Sequence, residues 1–216
     1  MIQDIYPHIY NNTFDPGVKP SNDDIIFSFE EDQVLMKDEH QFYHYHDISK
    51  ESVCYYLFSI DNIKFFLADL TSLNHIKVSF RKMRTFEDQM LGFAAITAWH
   101  LYRWIQDNKY CGKCGHPMDF DKKERAMRCP HCSNIVYPKI SPAVIVGITN
   151  DKGQILVTKY AHGHYQSYAL VAGYYEIGET IEETVKREVK EETGLDVTDI
   201  QYYKSQPWSF SSTLLF

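Results

Sequence analysis

Three glutamates in the stretch REVKEETGL, residues 187–195, are well suited to chemistry. In a helix, Glu188, Glu191 and Glu192 stand three and four residues apart, so their carboxylates share one face and repel each other. Hard divalent cations such as Mg²⁺ and Mn²⁺ bind oxygen ligands, and a bound cation relieves this repulsion. A glutamate that is free of the metal, or shares it, can deprotonate an attacking water. The spacing therefore favours a divalent-metal site that carries its own general base.

Four of the five cysteines form two C-x-x-C pairs, in the pattern C-x2-C-x14-C-x2-C. They are Cys111, Cys114, Cys129 and Cys132. Four thiolates at this spacing predict a closed tetrahedral zinc site, whose metal supplies folding energy to a segment too small for its own core. An iron centre of similar geometry and a pair of disulfides are the alternatives. Because no coordination position is open, we expect a structural site. The fifth thiol, Cys54, lies in an apolar run and is expected to be a small core residue.

The glutamates require a helix with defined ends. Thr180 and Glu183 fit a capping box, and Gly194 followed by an apolar residue fits a helix C-cap, so the sequence predicts a helix over residues 181–193. Ile181, Val185 and Val189 recur every four residues and are expected to face the core. A solvated helix with Lys186, Arg187 and Lys190 as counter-charges is the simpler alternative. That alternative does not explain why the glycines and the capping residues stand at matching positions around the helix.

The remaining elements predict a mainly β N-terminal part followed by a helix. The runs DIIFSF, VCYYLFSI, IKFFLADL and HIKVSF are rich in β-branched and aromatic residues, and FEDQMLGFAAITAWHLYRWIQDN predicts a long amphipathic helix ending near Asn108. AVIVGITN and ILVTKY flank the turn DKGQ and predict a hairpin. We expect an α+β protein with an N-terminal domain over residues 1–108, a cysteine module over 109–137 and a third domain over 138–216.

Composition limits the function classes. A net charge of −7 and a pI of about 5.8 argue against a general nucleic-acid or anionic-membrane surface. The cysteine module is nevertheless locally basic, which makes a nucleic-acid-binding ribbon conceivable; its cations are Lys113, Lys122, Lys123, Arg125 and Arg128. No secretion signal or membrane-spanning run is recognisable, so we expect a cytoplasmic protein with no membrane partner.

The element GYYEIGETIEETVKREVKEETGL, residues 173–195, fits the pattern G-x5-E-x7-R-E-U-x-E-E-x-G-U, with U aliphatic, at every specified position. This resembles the box of the Nudix hydrolases, which cleave nucleoside diphosphates linked to another moiety. The resemblance implies that Glu188 and Glu192 are metal ligands and that Glu191 is a further ligand or the base. It also implies that the loop is supported by Gly173, Gly178, Glu179 and Arg187.

The order of features is similar to the NADH pyrophosphatase branch of that family: a helix, a zinc ribbon, YPKISPAVIV, the box, and then SQPWSF. The resemblance implies a Nudix α/β/α sandwich with a mixed sheet, a homodimer, and hydrolysis of NADH or NAD⁺ to nicotinamide mononucleotide and AMP. Removal of NAD caps from RNA is the branch's other substrate class. The implied substrate-binding residues are Tyr137, Ala172, Tyr174, Gln206, Pro207, Trp208, Ser209, Phe210, Ser211, Ser212 and Thr213. Alternatives are a sister activity on ADP-ribose or another nucleoside diphosphate derivative, and a sensor that binds nucleotide without cleaving it.

Two features depart from that branch. Ser209 and Ser211 stand where its signature has prolines, which lowers the rigidity of the segment. The branch also continues beyond the signature for another strand and helix, which supply a further metal-binding glutamate, whereas this sequence stops at Phe216. We therefore expect a fragment of a longer protein, with its C-terminal part missing, or a natural truncation with weak activity.

Several histidines are possible metal ligands. His44 and His46 are expected on one face of a strand with His40 nearby, but no third metal ligand accompanies them, so a half-exposed polar face is favoured. His162 and His164 precede the glutamate element and are not assigned a role.

Overall fold

The computed structural model describes residues 1–159 and 167–216. The chain forms two compact units, Met1–Lys139 and Ile140–Phe216. His162 and His164 lie outside the described residues. Neither helix in the described ranges combines the length and the apolar composition needed to cross a membrane.

The first unit is described throughout and is mainly β. Its strands are β1 Tyr10–Asn11, β2 Ile25–Phe27, β3 Phe29–Glu30, β4 Gln33–Met36, β5 Tyr43–His44, β6 Tyr55–Ile60, β7 Ile63–Leu67, β8 Ile76–Ser79, β9 Asp119–Phe120, β10 Met127–Arg128 and β11 Ile135–Val136. Its helices are the α-helix α1 Gln89–Asp107 and the 3-10 helices Tyr45–Asp47 and Phe80–Thr85. The predictions of a β-rich N-terminal part and of a helix ending near Asn108 are confirmed.

The core of this unit forms on a five-stranded mixed sheet in the order β1-β6-β7-β2-β5. Strands β2 and β7 are parallel, and the other pairs are antiparallel. Phe27, Phe58, Phe65 and Phe66 are fully buried, and the rings of Phe27 and Phe65 stack at 5.7 Å. Burying a phenylalanine side chain contributes about 1.5–3 kcal/mol, so this aromatic cluster is a major source of stability. A second, antiparallel sheet has the order β3-β4-β8.

Helix α1 packs closely because its buried face carries small residues. Asp88 caps its N-terminus by accepting a hydrogen bond from the Leu91 backbone N–H at 3.0 Å. A Cβ on Gly92 would lie 2.5 Å from the carbonyl oxygen of Met83, so only glycine allows the 3-10 helix Phe80–Thr85 to approach. The rings of Phe80 and Trp99 stack at 3.7 Å across this contact.

The cysteine segment follows helix α1 and contains the three-stranded sheet β11-β10-β9. Its small core joins Trp104 of α1 to Cys111, Met118, Met127 and Cys129, all of them buried. The C-terminal end of α1 therefore supplies an apolar anchor that the segment lacks.

The second unit is built on a mixed four-stranded sheet in the order β13-β12-β15-β14. Its strands are β12 Ser141–Val146, β13 Val171–Tyr174, β14 Gln206–Trp208 and β15 Thr213–Leu215, with the α-helix α2 Ile181–Thr193 and the 3-10 helix Ser209–Ser211. Strand β15 runs parallel to the central strand β12, and the other pairs are antiparallel. The predicted α+β class is confirmed.

Two local predictions differ in detail from the structure. The hairpin predicted around DKGQ forms as a short antiparallel pairing, in which Thr149 bridges to Ile155 and the Leu156 N–H bonds to the Ile148 carbonyl. Among the described residues beside the turn, this pairing does not extend into two regular strands. The turn itself forms, because the Asn150 N–H bonds to the Gln154 carbonyl and Asn150 Oδ1 accepts from the Gln154 N–H.

The strand expected through His44 and His46 ends at His44, and His46 lies in a 3-10 helix. Their rings stack at 5.4 Å, and each Nδ1 bonds to a backbone carbonyl, of Asp23 and Asn22 respectively. These bonds give both rings a structural role. Cys54 is half-buried against the apolar cluster around Ile26, so it lies at the edge of the core.

Candidate active site and metal centre

Helix α2, which carries the three glutamates, begins and ends at its sequence signals. Thr180 Oγ1 accepts from the Glu183 N–H at 3.2 Å, and Glu183 Oε2 accepts from the Thr180 N–H at 2.7 Å. Gly194 has a φ of +74° and donates to the Lys190 carbonyl, which closes the C-terminus. The predicted helix and both predicted caps are confirmed.

The apolar stripe of α2 fixes which way the glutamates face. Val185 and Val189 are buried against Val144 of β12 and Val171 of β13, with the half-buried Ile181 beside them. The glutamates flank this stripe, and Glu188 is half-buried at its edge whereas Glu191 and Glu192 are exposed.

Arg187 connects the loop before α2 to the glutamate face. Its Nε and Nη2 donate to the two carboxylate oxygens of Glu179 at 2.6 and 2.9 Å, a bidentate pair. Its Nη1 donates to Glu188 at 2.8 Å and to Glu191 at 3.2 Å, and Nη2 also donates to the Tyr174 carbonyl at 2.9 Å. The guanidinium thus joins strand β13, the loop and the helix.

The titration of this pair reflects the same contacts. Hydrogen bonds from Arg187 and then from Thr184 lower the pKa of Glu179 to about 2, and the bond to Glu179 raises the pKa of Arg187. Glu179 is therefore a permanent anion at neutral pH, and Arg187 remains charged.

Thr184 is a supporting residue that the sequence reasoning missed. Its hydroxyl is fully buried and donates to Glu179 Oε2 at 2.8 Å, and it also approaches the Thr180 carbonyl at 3.1 Å. A polar residue directly before Val185, at the edge of an otherwise apolar stripe, is the signal that could have identified it, because buried hydroxyls require partners.

Gly173 provides the space that Glu188 occupies. A Cβ on Gly173 would lie 1.9 Å from Cδ of Glu188 and 2.1–2.2 Å from its carboxylate oxygens. The carboxylate therefore lies directly over the backbone of β13, and its side chain is only 13% exposed. Gly178, in the loop between β13 and α2, has a φ of +97°, a conformation that other residues rarely adopt.

Glu191 and Glu192 are more accessible than Glu188. The side chain of Glu191 is 60% exposed and touches Arg187, and Glu192 is exposed and makes no hydrogen bond or ion pair with the described residues. In the parts of the chain that the structure describes, the groups of three or more metal-ligand side chains with ligand atoms within 4.8 Å do not include these glutamates. The structure thus places the three carboxylates on one helix face without drawing their oxygens together.

The predicted substrate-binding segment forms a β-hairpin. Strands β14 and β15 pair antiparallel around the 3-10 helix Ser209–Ser211, and Ser212 follows with a φ of +53°. Ser211 and Thr213 share a hydroxyl–hydroxyl bond of 2.7 Å, and the rings of Trp208 and Phe210 lie 5.0 Å apart. Ser209 and Ser211 therefore lie in a 3-10 turn that these contacts hold, and Ser209 is buried.

Sheet register brings several predicted binding residues to one face. Ala143 of β12 pairs with Tyr174 and Leu215, and Leu215 pairs with Gln206. Side chains alternate between the two faces of a sheet, so Ala172, Thr213 and Trp208 lie on the same face as these paired residues. Val171 and Gly173 lie on the opposite face, toward α2. The Tyr174 hydroxyl lies 3.4 Å from Thr213 Oγ1, consistent with this assignment. Pro207 takes the alternate face of β14.

The four ribbon cysteines converge in the first unit. Sγ of Cys111 lies 3.6 Å from that of Cys132, Sγ of Cys114 lies 3.5 Å from that of Cys129, and all four lie within 4.8 Å of one another. A disulfide needs about 2.05 Å, so these thiols are unpaired, and the alternative of two disulfides does not hold. Zn–S bonds of about 2.3 Å in a tetrahedron place sulfurs about 3.8 Å apart, so the cluster fits a zinc ion.

The two cysteine knuckles repeat one backbone pattern. The N–H of Cys111 bonds to the His116 carbonyl, and that of Gly115 bonds to the Cys111 carbonyl, both at 2.8 Å. Cys129 and Ser133 repeat these bonds, and Gly115 and Ser133 both have positive φ, of +76° and +60°. Burial would raise the pKa of the Cys111 thiol, but backbone N–H groups and neighbouring thiols outweigh it and lower this pKa to about 6, which favours a thiolate ligand.

Comparison with known families agrees with both sites. The NUDIX domain profile matches residues 139–216, and the profile of the NADH pyrophosphatase zinc ribbon domain matches residues 106–137. The chain carries a Nudix domain preceded by an NADH pyrophosphatase zinc ribbon. The resemblance that the sequence motifs indicated is confirmed.

Curated relatives of this chain are described as NAD-capped RNA hydrolase NudC. The protein of Klebsiella pneumoniae (strain 342) is 42% identical over 115 residues, 53% of this chain and 44% of that protein. The protein of Salmonella typhi is 37% identical over 145 residues, 66% of this chain and 56% of that protein. The chain thus spans about half the length of the curated relatives it matches. A NUDIX hydrolase structure from Nitrosomonas europaea aligns with a TM-score of 0.42 at 24% identity, over 50% of this chain and 63% of that one.

A Nudix domain implies a divalent metal, and the donor set on α2 is compatible with one. Carboxylate oxygens are the ligands that hard divalent ions prefer. Because Gly173 has no side chain, the Glu188 carboxylate can lie against the sheet. Glu191 and Glu192 are exposed, so their side chains can rotate toward a shared ion. The zinc ribbon, in contrast, offers four thiolates, the ligands that suit zinc.

Two predictions about the zinc ribbon concern Tyr137 and the basic residues. Tyr137, proposed to contact substrate, belongs to the first unit, where its hydroxyl donates to Glu124 at 2.5 Å and this bond raises its pKa. The zinc ribbon presents less positive charge at its surface than the sequence implied, because Arg128 is paired with Asp121 and Arg125 is half-buried. Lys122 and Lys123 remain exposed.

Proposed function

We propose that this chain hydrolyses the pyrophosphate bond of NADH or NAD⁺ and releases nicotinamide mononucleotide, reduced or oxidised, and AMP. The observation that carries the proposal is the glutamate face of α2, held by Arg187 and Gly173 in a Nudix domain that follows an NADH pyrophosphatase ribbon. Removal of an NAD cap from RNA is the same bond cleavage on a larger substrate, and the names of the relatives support it.

Glu188, Glu191 and Glu192 would hold the catalytic ion, which we propose to be Mg²⁺ or Mn²⁺. When bound, the ion neutralises the charge of the pyrophosphate and of the leaving phosphate. Arg187 keeps Glu188 on the sheet side of the helix, and Glu179 holds Arg187 in turn, so the ligand face is positioned before substrate binds.

One of the three glutamates serves as the general base. It takes a proton from the attacking water, whose oxygen forms a bond to one phosphorus while the bond from that phosphorus to the bridging oxygen breaks. The bridging oxygen leaves on the other phosphate. Glu191 and Glu192 are the more exposed carboxylates and can reach a water at the surface of α2.

The dinucleotide would bind along the sheet face that carries Ala172, Tyr174, Gln206, Trp208 and Thr213. Aromatic faces can stack on the nicotinamide or adenine ring, and the amide and hydroxyl groups can bond to the carboxamide and the phosphates. In the same proposal, the turn residues Ser209, Phe210, Ser211 and Ser212 complete the binding set, and Pro207, on the alternate face of β14, and Tyr137, in the first unit, are left out of it.

The test is hydrolysis of NADH by the zinc-loaded chain with Mn²⁺ or Mg²⁺, with products separated by chromatography. We expect NMNH and AMP in equal amounts, and a loss of about 10²-fold or more in rate for Glu191→Gln or Glu192→Gln. Glu182→Gln, which changes an exposed glutamate of the same helix at a position that the pattern leaves unspecified, is the matched control and should retain the rate. A chain that binds NADH but leaves it intact would reject hydrolysis in favour of a nucleotide sensor.

A substrate panel separates the remaining alternatives. ADP-ribose, NAD⁺, NADH and a short NAD-capped RNA would be compared at equal concentration. Faster release of AMP from ADP-ribose than from NADH would assign the sister Nudix activity instead. We also propose a homodimer, tested by light scattering, and a cytoplasmic location, which the unpaired ribbon thiols support.

A further inference from the structure

A pocket in the first unit opens where strand β6, helix α1 and the zinc ribbon meet. Its cavity of about 90 Å³ is several times the 10–15 Å³ or so that one water requires, so it can admit a ring-sized molecule. Aromatic residues of three segments line it, namely Phe14, Tyr55 and Phe120, with Leu101 and Ile105 of α1. The rings of Tyr55 and Phe120 lie 4.6 Å apart, and both are partly exposed, at 43% and 38%. These walls suit a flat apolar group.

Arg125 contributes a cation to this pocket without a matching anion. Its guanidinium makes one long hydrogen bond, from Nη2 to the Asn12 carbonyl at 3.4 Å, and lies 5.6 Å from the Phe14 ring centre. In the fully described first unit it forms no ion pair with a carboxylate. Burial lowers the pKa of Arg125, so its surroundings remove water without replacing the lost hydrogen bonds.

The acidic neighbour in the pocket is already neutralised. Asp121 also lines it, but one of its carboxylate oxygens accepts from Arg128 at 2.5 Å and the other accepts from the N–H groups of Lys123 and Glu124. Tyr10, which lies near Arg125, is a phenol and therefore neutral at physiological pH, and burial raises its pKa further, to about 12. Arg125 therefore keeps an uncompensated positive charge.

Trp104 adds an unused donor among the residues that line the pocket. The residue is 4% exposed, and its indole Nε1 is buried with no hydrogen-bond partner. A buried donor without an acceptor is unfavourable, because it has lost its bond to water without a replacement. An acceptor carried by a ligand would recover part of this cost.

We propose that this pocket is a binding site for a small planar organic anion, an aromatic ring that carries a single carboxylate. The ring would pack against the aromatic walls, and the carboxylate would accept hydrogen bonds from the fork of donors on Arg125. A single negative charge matches the single uncompensated cation of Arg125. This site goes beyond the proposed hydrolysis and does not depend on it.

The test uses a matched pair of ligands, benzoate and benzamide, which share shape but differ in charge. The zinc-loaded chain, labelled with ¹⁵N, would be titrated while the indole N–H signals of its three tryptophans are followed. We expect benzoate to shift the Trp104 signal and to bind at least about tenfold more tightly than benzamide. Arg125→Gln should remove this preference, and Arg125→Lys should retain part of it. Arg103→Gln, which changes an exposed arginine of α1, should leave both affinities unaltered.

Three results would overturn the proposal. These are equal affinity for the two ligands, unchanged benzoate binding in Arg125→Gln, and no binding of either ligand up to about 10 mM, weaker than a specific site requires. Tighter binding of phenyl phosphate than of benzoate would overturn the carboxylate assignment. If Arg125→Gln fails to fold, the ligand pair on the unaltered chain and Arg125→Lys still decide the question.

Discussion

At the residue scale, the site depends on Glu188 lying over a glycine. The carboxylate occupies the position of a Cβ on Gly173 and receives a hydrogen bond from Arg187. The same guanidinium binds Glu179 through two nitrogens, so one arginine holds both the loop and a proposed metal ligand. Substitutions at these positions should alter chemistry more than folding, because they leave the buried valines of α2 unchanged.

Gly173→Ala should displace Glu188. The new methyl would lie 1.9 Å from Cδ of Glu188, far below the 3.0 Å that real Cβ contacts respect, so the carboxylate must leave Arg187. We expect Mn²⁺ affinity, measured by calorimetry, and NADH hydrolysis to fall at least about tenfold, with a small change in melting temperature.

Gly147→Ala is the matched control for that change, because its Cβ would meet nothing closer than Ile155 Cδ1 at 3.9 Å. Unaltered metal affinity in Gly173→Ala would contradict the proposed role of Glu188.

Glu179 should make stability depend on pH in acid. Its pKa falls from the ordinary glutamate value of 4.5 to about 2 in the folded chain, mainly because Arg187 donates to it. A lowered pKa means that the stabilisation is complete above about pH 4.5 and is lost as the pH falls toward 2. The unfolding free energy of Glu179→Gln, subtracted from that of the unaltered chain, should therefore be constant near neutrality and shrink across this range. Denaturant unfolding at several pH values measures it, and a difference independent of pH would exclude the ion pair.

At the element scale, α2 is specified by its ends and by one apolar stripe. The capping box, the left-handed Gly194 and the buried Val185 and Val189 agree with one another, so local and tertiary preferences select the same helix. The hairpin β14–β15 is specified differently, because β15 also pairs with β12, far away in the sequence.

Thr180→Ala should destabilise α2 from its N-terminus. The change removes the acceptor for the Glu183 N–H and is expected to cost about 1 kcal/mol in the free energy of unfolding. Chemical denaturation followed by circular dichroism measures the loss. Thr180→Ser keeps the hydroxyl and should cost much less, whereas equal losses for the two variants would show that the hydroxyl is not the relevant group.

At the scale of the whole molecule, the chain consists of two compact units, and we expect the ribbon within the first to depend on a zinc ion. The buried core of the ribbon is small, with Trp104, Met118, Met127 and two of the cysteines, and Leu101, Ile105 and Val136 pack against it only partly buried.

Removal of zinc should therefore unfold the ribbon. We expect one zinc ion per chain by elemental analysis. A chelator should make the four ribbon thiols reactive to a thiol reagent and change the fluorescence of Trp104. Cys132→Ser should lose zinc, whereas Cys54→Ala, the control, should retain it because Cys54 lies outside the cluster. Four thiols that stay protected after zinc is removed would contradict this dependence.

The sequence alone determined the features that depend on short-range spacing. Helix periodicity placed three glutamates on one face, the capping residues set the bounds of α2, and the paired C-x-x-C motifs defined the zinc cluster. Each follows from backbone geometry over a few residues or from the coordination rules of a metal. The DKGQ hairpin pairs through single bridges rather than regular strands, because strand propensity does not determine how far a pairing extends.

Only the tertiary structure decided which distant groups meet. It placed Glu188 in the space left by Gly173, joined Tyr174 to Arg187 and to Thr213, and set β15 beside β12. It also left Arg125, within the fully described first unit, without a counter-ion in an aromatic pocket. Such contacts depend on strand order, register and side-chain packing, which involve residues far apart in the chain and therefore have no local signature.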